Sequence, residues 1–111
     1  MFACEFGPDA TSYAFIQDVP ADREMYAKIR AKLPTAAPAG LITHVVIEQE
    51  SGLRYVDVWA TEEDWTRFRD DFVEPAVTEV LASYGLPHDH SIVISNDVTV
   101  IDTWIGEPIS A

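Results

Sequence analysis

Basic side chains are scarce in this sequence. Five arginines and two lysines, Lys28 and Lys32, stand against 19 acidic residues in a chain of 111, giving a formal net charge of -12. Nucleic-acid binding rests on Lys and Arg neutralising phosphates, so the composition argues against a DNA or RNA partner. An anionic membrane surface is disfavoured for the same reason. Cysteine is almost absent: the single Cys4 cannot close an internal disulfide, which fits a reducing compartment. No apolar stretch approaches the ~18 residues of a membrane span. Residues 1–5 lack the basic and apolar regions of a signal peptide, so a soluble cytoplasmic protein is expected. No glycine-rich phosphate cradle and no nucleophile elbow occurs.

What remains is a chain that is 48% hydrophobic, too apolar to stay disordered despite its charge. Its length suits one domain over 1–111, with a core from about 11 to 106. The segment 11–19, rich in β-branched and aromatic residues and stopped by Pro20, predicts a first strand. Pro20 suits a first helical position, with Asp22 and Glu24 in the first turn. Met25, Ile29 and Leu33 form the buried stripe of that helix, with Tyr26 beside it, and Pro34 ends it. The runs 41–50 and 53–60 predict two strands joined through Ser51-Gly52. Thr61 and Asp64 then form a variant capping box. The second helix carries Trp65, Phe68, Phe72 and Ala76 on one stripe, with a kink or restart expected at Pro75. A final strand is expected over 98–105, while Ile92-Val93-Ile94 suggests an edge strand of uncertain place.

The resulting β-α-β-β-α-β order is the split arrangement of ferredoxin-like α+β domains, an antiparallel sheet with parallel neighbours where each helix crosses over. Helices cover one sheet face. The other carries apolar residues that a monomer would expose, so a homodimer packed sheet to sheet is expected.

Hairpin geometry supplies candidate chemistry. Pairing outward from Ser51-Gly52 matches Glu50 with Leu53, Glu48 with Tyr55, Val46 with Asp57 and His44 with Trp59, all on one face. His44 then lies beside Trp59 and diagonal to Asp57, at roughly 7–8 Å between backbones. A His oriented by an Asp, with Tyr55 further along, is a minimal set for general acid–base chemistry. Asp57 can equally pair with Arg54, Arg67 or Arg69, and His44 can be structural. Trp59 and Trp65 either wall a pocket or fill the core. Phe15 on strand 1, Phe68 on the second helix and Trp104 on the last strand are further candidates for a lining. His88-Asp89-His90 is the one metal-like spacing, and without a third ligand nearby no metal is expected. Cys4 has no adjacent His and is not expected to act as a nucleophile.

Three features together resemble a known family: the element order, the run Ala39-Gly40-Leu41-Ile42-Thr43-His44-Val45 leading into strand 2, and the run from Arg54 to Arg69 (RYVDVWATEEDWTRFR). They are similar to the dimeric α+β barrel superfamily, and within it to antibiotic-biosynthesis-monooxygenase-type domains. The resemblance implies a homodimer without cofactor that holds an aromatic or polyketide-like molecule, as a cofactor-independent monooxygenase or a cyclase or isomerase. His44 would be the base, Asp57 its orienter and Tyr55 a proton donor. Haem-degrading relatives use a His on the second helix and an Asn on strand 1; residues 62–84 hold no His and strand 1 no Asn, so haem is disfavoured. The superfamily also contains proteins with no known reaction, so a non-catalytic dimeric binding module is the alternative reading.

Overall fold

A computed structural model describes residues 12–104 and 106. Strand β1, Tyr13–Val19, is followed by helix α1, Arg23–Ala31. Pro20 lies outside this helix. Asp22 is its N-cap, accepting a hydrogen bond from the Met25 amide at 2.9 Å, because a short acceptor side chain in extended backbone satisfies an otherwise orphaned N–H. Strands β2, Leu41–Gln49, and β3, Gly52–Trp59, form the hairpin. Helix α2, Glu62–Phe68, begins at Thr61 as expected, with the Asp64 amide donating to Thr61 Oγ1 at 3.0 Å.

The discontinuity expected at Pro75 is a π-turn over Arg69–Val73 that hands over to helix α3, Glu74–Ser83. The Glu74 amide reaches back five residues to the Arg69 carbonyl. The widened turn lies immediately before Pro75, where an ordinary α-helical ladder would meet a ring without an N–H. Strand β4, Ile94–Val98, completes the sheet.

The sheet order is β2-β3-β1-β4, and every neighbouring pair is antiparallel. The expected parallel neighbours are absent because β3 lies between β1 and β2, so the α1 crossover joins strands that do not touch. The last strand also differs from expectation. It occupies 94–98, sharing only Val98 with the strand expected over 98–105 and only Ile94 with the 92–94 edge-strand candidate, whose Ile92 lies in a 3-10 turn, His90–Ile92. Residues 99–104 form no strand and Ile105 lies outside the described residues. Val98 pairs with Ala14, one residue from Tyr13, the first residue of β1, so the pairing ends close to the start of β1.

Phe15 and Trp59 are buried on the sheet, and Ile29, Ala76 and Val80 form the contact between α1 and α3 with Met25, Leu33 and Val77 around them. The opposite sheet face is open: Val45 and Ile47 are 45% and 44% exposed, and Ile94 and Val98 are also exposed. No helix among the described residues is long and apolar enough to cross a membrane.

Candidate functional site

The hairpin turns one residue earlier than expected, with Gln49 paired to Gly52 across Glu50-Ser51. Moving the turn by one residue on both strands shifts each partner by two, which preserves the faces while changing the pairs. His44 therefore lies directly opposite Asp57, and Val46 opposite Tyr55. A bulge between Leu41 and Thr43 then lets Leu41 pair with Trp59. Gly52 adopts φ +147°, and a side chain there would collide with the Val19 carbonyl oxygen; glycine is what permits this approach.

A chain of hydrogen bonds runs across this face. The Trp59 indole Nε1–H donates to Asp57 Oδ2 at 3.1 Å, and His44 Nδ1 lies 2.6 Å from Asp57 Oδ1. The Tyr26 hydroxyl, contributed by α1, is 2.9 Å from His44 Nε2. Asp57 is only 4% exposed. An Asp carboxylate is acceptor-only, so His44 donates its Nδ1–H to it and leaves Nε2 as a lone pair that accepts from Tyr26. The short contact is typical of a charge-assisted bond. None of the arginines weighed as partners for Asp57 reaches it. Arg54 binds Asp18 bidentately at 2.8 and 3.1 Å, Arg67 lies 3.3 Å from Asp64, and Arg69 lies 3.0 Å from Asp70.

Tyr55 is placed beside this chain but not in it. Its ring is 5.8 Å from those of both His44 and Tyr26, and among the described residues no group hydrogen-bonds its hydroxyl. Burial pushes the Tyr55 hydroxyl up to about 12, helped by the nearby Tyr26 and Asp57. Burial likewise raises Tyr26. Both tyrosines are therefore neutral O–H donors at physiological pH.

The helices stand off the sheet, leaving a cavity of about 460 Å³ into which this face points. His44, Asp57, Tyr55, Trp59, Trp65, Phe15 and Phe68 all line it, as does Tyr26. A second cavity of about 570 Å³ shares Gln17, Tyr55 and Trp65 with the first. Aromatic contacts join the walls: Phe15 and Trp65 lie 4.9 Å apart, Trp59 and Trp65 5.5 Å, and Trp59 and Phe68 5.7 Å between ring centres. The volumes and the aromatic lining with a few convergent polar groups suit an organic molecule of several rings. Trp104 is the exception among the lining candidates. It is 92% exposed and borders neither cavity, because the strand expected to carry it ends at Val98.

Tyr26 is the site residue that sequence reasoning missed. Its position next to the Met25–Ile29–Leu33 stripe placed it on the edge of the buried face, but nothing in the sequence brings α1 over β2.

No protein-family profile and no curated protein sequence matches the chain. Solved structures do. Rv0793 from Mycobacterium tuberculosis superposes with a TM-score of 0.55 over 84% of this chain and 98% of that one, at 18% identity. SnoaB, a cofactor-independent oxygenase from Streptomyces nogalater, superposes with a TM-score of 0.50 over 86% and 97%, at 13% identity. At such identities the likeness concerns the fold.

Proposed function

We propose that this chain, whose fold is that of the antibiotic-biosynthesis-monooxygenase-type dimeric α+β barrels, binds a polycyclic aromatic or polyketide-like molecule and removes a proton from it with His44. The observation that carries the reading is the Trp59–Asp57–His44–Tyr26 hydrogen-bond chain ending in a lone pair on the wall of an aromatic cavity. Asp57 holds the imidazole in the tautomer that leaves Nε2 basic and balances the imidazolium formed on proton transfer. Tyr26 keeps Nε2 solvated by a hydroxyl until a ligand arrives. Once the ligand's proton is transferred, that hydroxyl is released to donate to the developing enolate oxygen, with Tyr55 as a second donor.

The substrate class follows from this kit. A ketone flanked by aryl rings, such as an anthrone, has a C–H acidic enough for an imidazole once its enolate is hydrogen-bonded. The enolate can pass an electron to O2, and recombination and loss of water give the quinone: anthrone plus O2 yields anthraquinone plus H2O, with O2 as the oxidant. SnoaB, described as a cofactor-independent oxygenase, supports oxygenation over simple isomerisation. The protein would act as a homodimer, a second copy covering the open face around Val45 and Ile47.

The test is oxygen uptake and quinone formation with a hydroxyanthrone, comparing the wild type with His44→Ala. Turnover should fall at least ~100-fold, the usual worth of a general base, in a variant that stays folded although Asp57 loses one hydrogen-bond partner, at a cost of about 1–3 kcal/mol. Equal turnover, or a variant that unfolds at the assay temperature, would leave His44 as a structural residue.

A further inference from the structure

The end of α3 holds a second cluster, separate from the His44 chain. Gly85, at φ +73°, closes the helix: the Leu86 amide donates to the Leu81 carbonyl at 2.9 Å and the Gly85 amide to the Ala82 carbonyl at 3.0 Å. This double bond pattern reverses the chain over the helix end, and Pro87 follows. His88 and His90 are thereby carried back over α3. Asp89 between them is extended and its carboxylate is taken by the Ser91 amide and hydroxyl, at 2.9 and 2.7 Å. Residues two apart in extended backbone face the same side, and the two imidazoles stack with ring centres 4.3 Å apart.

Both face Glu74, the first residue of α3, set there by the π-turn. His90 Nε2 is 3.0 Å from Glu74 Oε1, and His88 Nδ1 is 3.7 Å from the same oxygen. One ligand atom from each of the three residues lies within 4.8 Å of the others. Thr78, one turn along α3, holds His88 Nδ1 at 2.9 Å. We infer that Glu74, His88 and His90 form a binding site for a divalent transition-metal ion. Zinc bonds of about 2.0–2.2 Å in tetrahedral array require donors ~3.3 Å apart, so the Glu74–His90 pair at 3.0 Å is already placed, while His88, 3.7 Å from Glu74 and within 4.8 Å of His90, must close in on both, exchanging Thr78 for the metal. Two imidazoles and one carboxylate are a donor set suited to zinc and its first-row neighbours, and they leave a coordination position open. All three residues line the 570 Å³ cavity together with Gln17, Tyr55 and Arg69, so water or an oxygen of a cavity-bound molecule would complete the sphere. The pair of histidines alone did not suggest a site because its third member stands fourteen residues before His88.

The experiment is calorimetric titration of the chelator-treated, full-length protein with Zn2+, supported by the visible spectrum of the Co2+ form. One saturable site per chain is expected. Its affinity should fall tenfold or more in Glu74→Gln and in His90→Ala, together with loss of the tetrahedral Co2+ bands. His90 has a side chain 70% exposed, so His90→Ala tests the site even if Glu74→Gln does not fold. His44→Ala should bind Zn2+ as the wild type does, which keeps this result separable from that for proton abstraction. Weak, unsaturable binding, or binding alike in wild type and His90→Ala, would mean adventitious coordination by surface carboxylates and overturn the assignment.

Discussion

Replacing Asp57 with Asn isolates what the buried carboxylate does. The Trp59 indole can only donate, and Trp59 is 1% exposed, so the Asn oxygen stays with Nε1–H, whose buried donor would otherwise lose its partner. The new amide N–H2 then faces His44 Nδ1, where the wild type has a carboxylate oxygen at 2.6 Å. Two donors cannot share that contact, and the imidazole resolves it by moving its proton from Nδ1 to Nε2. Tyr26 adjusts by accepting rather than donating. Two charge-assisted bonds become neutral ones, a loss of roughly 1 kcal/mol each, or about 2 kcal/mol in all. For a domain of this size that lowers Tm by roughly 6–10 °C. The chemical effect is larger: the base nitrogen now carries a proton, and a base held in the wrong tautomer costs an enzyme up to about 10⁴ in rate. Nitrogen-15 NMR of the His44 ring reads the tautomer directly, with no substrate needed. The wild type should show Nδ1–H and Asp57→Asn Nε2–H. The same tautomer in both proteins, or a stability loss above ~4 kcal/mol, would refute the reasoning.

Three further outcomes are expected. Gly52→Ala places a side chain against the Val19 carbonyl oxygen in a backbone region that L-residues avoid, and should cost about 2–3 kcal/mol by denaturant unfolding; no loss would mean the hairpin turns elsewhere. Burial holds the Tyr55 hydroxyl at about 12, and burial with the bond to Asp97 does the same for Tyr13. Unfolded tyrosine ionises near 10, so the folded chain keeps these protons longer; their stabilisation is complete below pH 10 and lost between 10 and 12. Tyrosinate absorbance and melting curves should show this, with the Tyr55→Phe titration lacking one late-ionising group. Val45→Lys on the open sheet face should convert a dimer to a monomer by light scattering, whereas a wild-type protein already monomeric at micromolar concentration would contradict the dimer.

Much of this was legible in the chain because local chemistry decides it. The Thr61 cap, the apolar stripes and Pro75 mark α2 and α3 through interactions within a few residues. The period-two alternation put His44, Tyr55, Asp57 and Trp59 on one face, and that survived an error of one residue in the turn. The pairing itself did not, since Glu50-Ser51 and Ser51-Gly52 are nearly equivalent as loops until Gly52 meets Val19, a contact between strands. Strand β4 escaped for a related reason. Residues 98–105 have the stronger strand composition, but the pairing with β1 ends at Ala14–Val98, one residue from the start of β1, and 94–98 pairs despite Ser95, Asn96 and Asp97. Tyr26 over His44 and Glu74 beside His88 are both contacts between separate elements, set by how α1 and α3 lie on the sheet and each other, which no local pattern encodes.

The central claim is that His44 takes a proton from a molecule held in the aromatic cavity, and anaerobic titration with a hydroxyanthrone isolates that step from oxidation. Quenching of tryptophan emission from Trp59 and Trp65 reports binding, and the red-shifted absorbance of the enolate reports proton transfer. Wild-type protein should show both signals saturating together, and His44→Ala the quenching without the enolate. An enolate formed equally by His44→Ala, or no binding by the wild type, would contradict the account.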